Sequence, residues 1–90
     1  MRSRIAKGQG PQRIRAELAQ RGIADSEADD GLRAADVDWL ARIRAVRAKR
    51  FGAHLPRDFA ERARQARFLQ YRGFDSAQIR AALELDPDSD

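Results

Sequence analysis

The chain of 90 residues contains no cysteine and a single histidine. Without cysteine there is neither a disulfide framework nor a thiolate metal site, which fits a reducing cytoplasm. His54 lies beside Pro56 in a predicted loop, where a lone histidine is usually solvated rather than a general base. With no second histidine and no clustered inward-facing carboxylates, a transition-metal site is not expected. We therefore expect a protein without catalytic residues, metal or cofactor.

Long apolar runs and strand-forming residues are also scarce. No apolar run approaches the roughly 20 residues that a membrane span needs, and none follows the N-terminal basic residues as in a signal peptide. Valine, isoleucine and threonine are few, so strands have little support, whereas alanine and arginine favour helix. Hydrophobic residues make up 42% of the chain, which is enough to fold. The composition predicts an all-α protein.

The basic charge is concentrated in two blocks. The chain has a net charge of +4, made of +5 over residues 1–23, −5 over 24–38, +8 over 39–80 and −4 over 81–90. A concentrated positive field attracts polyanions or acidic protein surfaces. The alternative is a solvated arginine-rich surface without a partner, and we favour binding over it.

The first half of the chain predicts a three-helix repeat over residues 10–52. Residues 1–9 precede it as an extension that we expect to be frayed. The predicted helices begin at Pro11, at a cap formed by Asp25 or Ser26, and at a cap formed by Asp36. Gly22 ends the first of these helices, and Gly52 ends the third.

The second half predicts a shorter repeat over residues 58–85. A loop at 53–57 separates it from the first repeat, and an acidic tail at 86–90 is expected to be disordered. A capping arrangement at Asp58 starts the fourth helix, and another at Asp75 starts the fifth. The fourth helix is expected to bury Phe59, Ala63, Ala66 and Leu69. This makes about five helices in total.

The segment R-F-L-Q-Y-R-G-F, residues 67–74, places three aromatic rings beside two arginines. Leu69 is expected in the core, and Phe74 is expected to fold back onto the helix end. Phe68 and Tyr71 fall on the other side of the helix. They either pack against a neighbouring element or form an exposed platform for stacking bases, and we favour packing.

The sequence also contains an internal repeat. E-L-A-Q-R-G-I (17–23) aligns with F-L-Q-Y-R-G-F (68–74) at an offset of 51 residues. Each copy is predicted to form a helix, an Arg-Gly-apolar corner, an acidic cap and a short helix. Repeat proteins of this kind bury the apolar face of each unit against its neighbour. The pattern predicts tandem three-helix units in a curved helical array.

Three motifs in order resemble one known family. K-G-Q-G-P-Q-R-I-R-A-E-L-A-Q-R-G-I resembles the opening helix of the middle repeat of the RecX family, and W-L-A-R-I-R-A-V-R-A-K-R-F-G resembles the third helix of that repeat. A-R-F-L-Q-Y-R-G-F-D-S-A-Q-I-R-A-A-L is similar to the last repeat of the family. The resemblance covers roughly residues 7–85. The family usually carries a further three-helix repeat at its N-terminus, which we do not identify in this sequence.

The resemblance implies a function that composition and periodicity do not. It implies a cytoplasmic, non-enzymatic regulator that binds in the groove of the RecA recombinase filament on DNA. It further implies inhibition of the ATPase, strand-exchange and coprotease activities of RecA, within DNA repair and the SOS response. The alternatives are a helical module that binds DNA phosphate directly and a structural fragment. We expect a monomer.

Arginines are the best candidates for partner contacts, because arginine presents a planar fork to carboxylate or phosphate. On the third predicted helix, Asp38, Arg42 and Lys49 share one polar stripe. Arg44 and Arg47 fall inside the apolar arc of the same helix, so each must extend to solvent, pair, or face a partner. If the helices fold into a crescent, several arginines share one face. The candidate contacts to RecA or DNA are Arg13, Arg15, Arg44, Arg47, Arg50, Arg64, Arg67 and Arg72.

Overall fold

The computed structural model describes residues 2–83, and over this range it consists of six α-helices without a strand. The all-α prediction is thereby confirmed. The predicted tail at 86–90 lies outside the described residues. The helices are α1 (Arg2–Ala6), α2 (Pro11–Gln20), α3 (Asp25–Ala35), α4 (Trp39–Phe51), α5 (Phe59–Tyr71) and α6 (Ser76–Ala82). None of them is long and apolar enough to cross a membrane.

Aspartates cap three of these helices. The Asp38 side chain accepts a hydrogen bond from the amide of Ala41 at 3.1 Å, and Asp58 accepts one from Glu61 at 2.7 Å. Asp75 forms a complete capping box with Gln78. Each carboxylate satisfies an amide that has no partner inside its helix. The caps predicted at Asp58 and Asp75 are confirmed.

Two predicted caps are wrong. Asp36 does not start α4 but ends α3, where it adopts a left-handed conformation with φ of 48°. The residue at the N-cap position of α3 is Ala24, without a side-chain hydrogen bond. Asp25 lies inside the first turn, where its negative charge faces the positive end of the helix dipole.

Three helices end in the same glycine corner. In each corner the glycine is left-handed, and the amide after it donates to a carbonyl five residues back, as in a Schellman motif. The glycines are Gly8, Gly22 and Gly73, with φ of 86°, 84° and 98°. The bonds run from Gln9 to Arg4, from Ile23 to Leu18 and from Phe74 to Leu69, at 3.0–3.1 Å. The repeated Arg-Gly-apolar motif therefore marks the end of α2 and of α5.

The buried residues form two cores, one in each half. The first unit, α1–α3, buries Ile5, Ile14, Leu18, Ala28 and Leu32. The second unit, α4–α6, buries Ile43, Val46, Leu69, Phe74, Ile79, Ala82 and Leu83. The long helix α4 thus belongs to the second unit, which differs from the predicted division into 10–52 and 58–85. Residues 2–6 form the packed first helix of the first unit, whereas the prediction had them frayed.

The two units are joined through backbone and through one aromatic ring. The amide of Gln12 donates to the carbonyl of Gly73 at 2.8 Å, and the Arg42 guanidinium donates to the carbonyl of Ile5 at 3.0 Å. Trp39 packs against both cores. These contacts hold the two units as neighbours in one array.

The aromatic residues of α5 divide between core and surface. Phe68 is half-buried against the second core, as predicted. Tyr71 is 74% exposed and Phe59 is 82% exposed, so packing was the wrong prediction for both. Phe59 occupies the first position of α5, and the buried residues of that helix begin only at Gln65.

Candidate functional site

Arg47 is not available to a partner. Its side chain is 4% exposed, and its guanidinium donates to the carbonyls of Gly52 and His54 at 3.0 and 3.2 Å. It also donates to the side chain of Gln65 at 3.3 Å. The carbonyls at the end of α4 lack partners inside the helix, and Arg47 supplies donors to them. The predicted role of Arg47 as a partner contact is therefore corrected to a structural one.

A hydrogen-bond chain continues from Arg47 to the surface. Gln65 donates to Glu61 at 3.1 Å, and Arg64 donates to both oxygens of Glu61 at 2.7 and 3.0 Å. The bonds from Arg64 and then from Gln65 lower the pKa of Glu61 from 4.5 to about 2. The Glu61 carboxylate is thus held ionised by Arg64 at the surface and by Gln65, which in turn accepts a hydrogen bond from the buried Arg47.

Two further candidates are engaged within the first unit. Arg15 pairs with Asp29 at 2.6 Å, which ties α2 to α3. Arg13 lies 3.5 Å from Glu17 and 5.3 Å from the centre of the exposed Tyr71 ring. Partial burial raises the pKa of Glu17, but hydrogen bonds from Arg4, Arg13 and Gln9 outweigh it and lower the pKa below 4.5. These arginines compensate acids of their own chain.

Three candidates gather around two phenylalanines. The rings of Phe51 and Phe68 meet edge to face at 5.3 Å. Arg64 lies 5.1 Å from the centre of Phe51, while Arg50 and Arg72 lie 5.4 and 5.5 Å from the centre of Phe68. Guanidinium groups at such distances are attracted by the ring quadrupole. These five residues, the arginine–phenylalanine cluster, connect the end of α4 to α5.

Arg44 and Arg67 stand apart from this cluster. Both are exposed, and Arg67 borders a shallow cavity beside Phe74 and Ile79. On α4, Arg44 lies about 160° from Arg42 and about 140° from Lys49 by helical periodicity. The eight candidate arginines do not share a single face, because Arg47 is buried and Arg15 and Arg67 line two different cavities.

A groove of about 510 Å³ runs between the α1–α2 turn and α4, and we call it the basic groove. Five of the ten residues that line it are basic, and none of the ten is acidic. Ala45, Val46 and Phe68 contribute apolar surface. The basic residues are Lys7, Arg42, Lys49, Arg50 and Arg72. The groove therefore concentrates positive charge without a carboxylate along its lining.

Three of these basic residues were missed as candidates. The sequence placed Arg42 and Lys49 on a polar stripe of α4, and this stripe was the signal that could have identified them as candidates. Lys7 lies in the stretch that was expected to be frayed. Only the packing of the α1–α2 turn against α4 brings Lys7 into the same groove as the other two.

Two arginines that line this groove each carry a buried donor without an acceptor. The Nε atoms of Arg42 and Arg72 are inaccessible to solvent and form no hydrogen bond within the described residues. A buried donor without a partner costs roughly 1–3 kcal/mol. In residues 2–83 no group of three or more histidines or carboxylates is arranged to hold a metal ion. The site is therefore a surface for anions rather than for cations.

Two packed three-helix units with a basic groove define an all-α helical-repeat protein suited to binding. Comparison with protein families then gives a specific result: residues 1–32 match the second three-helix domain of RecX, and residues 36–83 match the third. The chain belongs to the RecX family. The division at residues 33–35 agrees with the two cores.

Curated relatives support the assignment along the whole chain. Regulatory protein RecX of Halorhodospira halophila is 54% identical over 90 residues, which is 100% of this chain and 56% of that protein. The proteins of the same name from Ectopseudomonas mendocina and Cronobacter sakazakii are 46% and 47% identical over 84% and 88% of this chain, and 51% and 48% of their own lengths. The chain thus spans about half the length of the curated relatives it matches. Their name describes a regulatory protein rather than an enzyme.

Proposed function

We propose that this chain is a non-enzymatic regulator of a RecA-type recombinase in the cytoplasm. It binds in the groove of the recombinase filament on DNA and inhibits the ATPase, strand-exchange and coprotease activities. The observation that carries the proposal is the match to two consecutive RecX domains in the family's order. Its setting is DNA repair and the SOS response.

The proposed mechanism is steric and electrostatic. The two units form an elongated body with extents of 42 × 26 × 22 Å, and backbone hydrogen bonds hold them together. A body of this length lodged in a filament groove bridges neighbouring subunits and hinders their cycling. The exposed Arg67 on α5 offers its fork to acidic groups of the recombinase, and Arg64 can do so only by leaving its own partner Glu61. Such contacts are weakened by salt.

The proposal is tested by adding the purified chain to RecA filaments on single-stranded DNA. ATP hydrolysis and co-sedimentation with the filament are measured against the concentration of the chain. We expect saturable binding with parallel loss of hydrolysis. A chain that saturates the filament without slowing hydrolysis, or that does not co-sediment at all, contradicts the proposed function.

A matched pair of variants tests the contact surface. Replacing Arg64 and Arg67 by alanine is expected to weaken filament binding about tenfold, because each exposed contact contributes up to about 1 kcal/mol. The control replaces Arg21 and Arg57, two exposed arginines outside α5. It removes the same charge and is expected to change binding less than threefold. Equal losses in both variants assign binding to overall charge rather than to α5.

A further inference from the structure

Within residues 2–83, no ion pair compensates the positive charge of the basic groove. Five ion pairs occur among the described residues, and their basic members are Arg4, Arg13, Arg15, Arg33 and Arg64. None of these arginines lines the basic groove. Among the described residues, acids therefore pair with arginines elsewhere and not with the basic residues of the groove.

The donors of the groove are held in place before any ligand arrives. Arg42 is anchored by its bond to the carbonyl of Ile5 at 3.0 Å, and Arg50 and Arg72 rest on the ring of Phe68. The buried Nε atoms of Arg42 and Arg72 still lack acceptors in the described part of the chain. An anion in the groove meets guanidinium groups that are already ordered, so its binding does not include the cost of ordering these side chains.

The lysines indicate which kind of anion the groove takes. The chain has 18 basic residues, and its only two lysines, Lys7 and Lys49, both line this groove. Both are exposed. Lysine is depleted in protein–protein interfaces relative to arginine, whereas its ammonium is a common point contact to phosphate. An acidic protein segment is therefore favoured less than a phosphate backbone.

Base stacking does not explain the groove. Phe68 is half-buried, and its ring is already contacted by Phe51 and by two guanidinium groups. A nucleic acid would thus be held by its phosphates, without preference for base sequence.

We propose that the basic groove is a phosphate-binding site for the backbone of a nucleic-acid strand. Arg42 and Arg72 supply ordered guanidinium groups, and Lys7, Lys49 and Arg50 neutralise adjacent phosphates. The site deepens the proposed function by adding a direct contact to the nucleic acid of the filament. Binding of nucleic acid to the groove is tested without recombinase. A negative result in this test is therefore distinguishable from a failure of the proposed regulatory function.

The test measures fluorescence anisotropy of labelled oligothymidine and of a random-sequence strand of equal length, at several salt concentrations. The whole chain is compared with the double variant Lys7→Gln and Lys49→Gln. For single strands each phosphate contact contributes a salt slope of about 0.7. We expect the double variant to lose a slope of about 1.4 and to bind roughly 25-fold more weakly at 0.1 M salt.

The matched control is the double variant Arg21→Gln and Arg57→Gln. Both arginines are exposed, neither lines the groove, and the charge change is identical. We expect its binding to stay within threefold of the parent chain. Equal weakening by both variants, or no binding by the parent chain at 50 mM salt, overturns the proposal.

Two further measurements separate phosphate backbone from other anions. The Nε–H resonances of Arg42 and Arg72 are expected to shift on addition of the oligonucleotide, while that of Arg21 does not. Polyglutamate is expected to displace the strand poorly at equal charge concentration. Displacement by polyglutamate as efficient as by unlabelled strand assigns the groove to an acidic protein segment, and tight binding of inorganic triphosphate alone assigns it to a free polyphosphate. Either result overturns the proposal that the groove binds a nucleic-acid strand.

Discussion

The backbone amide of Gly10 donates a hydrogen bond to the carbonyl of Arg72 at 2.7 Å, across the boundary between the two units. The two backbones approach this closely because Gly10 and Gly73, the residue after Arg72, have no side chains. A Cβ atom on Gly10 would overlap the carbonyl of Gly73, and one on Gly73 would overlap Arg13. The two units therefore meet backbone to backbone.

This contact predicts different costs for two glycines that look equivalent in sequence. Gly22 and Gly73 both end a helix with φ near 90°, but a Cβ on Gly22 has no neighbour within 4 Å. Gly22→Ala is expected to cost about 1 kcal/mol from left-handed strain alone. Gly73→Ala is expected to cost about 3 kcal/mol, because overlap with Arg13 is added. Urea unfolding measures both, and equal costs would show that the boundary relaxes freely.

Removal of Arg47 is expected to destabilise the protein strongly. Arg47→Ala leaves the carbonyls after α4 and the side chain of Gln65 without their donor, at a cost of about 3 kcal/mol. The control is Arg44→Ala on the exposed face of the same helix, with an expected change below about 0.5 kcal/mol. Thermal unfolding followed by circular dichroism compares the two. A mild effect of Arg47→Ala would mean that water replaces the guanidinium.

Trp39 is expected to report unfolding of both units at once. It is the only tryptophan and packs against both cores, so its fluorescence and the helical signal should change in one transition. Trp39→Ala is expected to cost about 3 kcal/mol. The control is Phe59→Ala at an 82% exposed position, with little expected effect. Two separate transitions in the parent chain would contradict this coupling.

Glu61 is expected to make stability depend on acid pH. Its pKa is about 2 in the folded protein against 4.5 ordinarily, so the unfolded chain binds more protons between these values. The contribution of this carboxylate is complete above pH 4.5 and is lost as the pH falls through about 2. Glu17 shifts in the same direction.

The pH prediction is checked by thermal unfolding between pH 2 and 6 with Glu61→Gln. This variant should lose part of the dependence of unfolding temperature on pH that the parent chain shows. Glu27→Gln, on the exposed surface of α3, serves as the control and should keep the parent slope. An unchanged slope in Glu61→Gln would place the acid sensitivity elsewhere.

Local signals in the sequence predicted most helices, since caps and glycine corners act within a few residues. Asp58 and Asp75 cap the helices that were predicted from them, and Gly22 and Gly73 end theirs. Where two aspartates compete within three residues, the local signal is ambiguous. Asp38 caps α4, while Asp36 ends α3, and a pattern of single residues does not separate these roles.

Burial was predicted less well, because it depends on what packs against each helix. Helical periodicity placed Phe59 with Leu69, yet the core does not extend to the first turn of α5. The same periodicity placed Arg47 in an apolar arc and left open whether it pairs or faces a partner. The carbonyls that it binds belong to the following loop, and only the folded chain brings them there.

The sequence by itself determined the helical class, the internal repeat and the resemblance to RecX, since each depends on short-range patterns and residue order. Tertiary structure decided that α4 belongs to the second unit and that Lys7 joins Arg42 and Lys49 in one groove. The physical reason is that burial and electrostatic fields are sums over neighbours distant in sequence. Two glycines in sequence do not reveal that their backbones meet, because that requires both units to be packed.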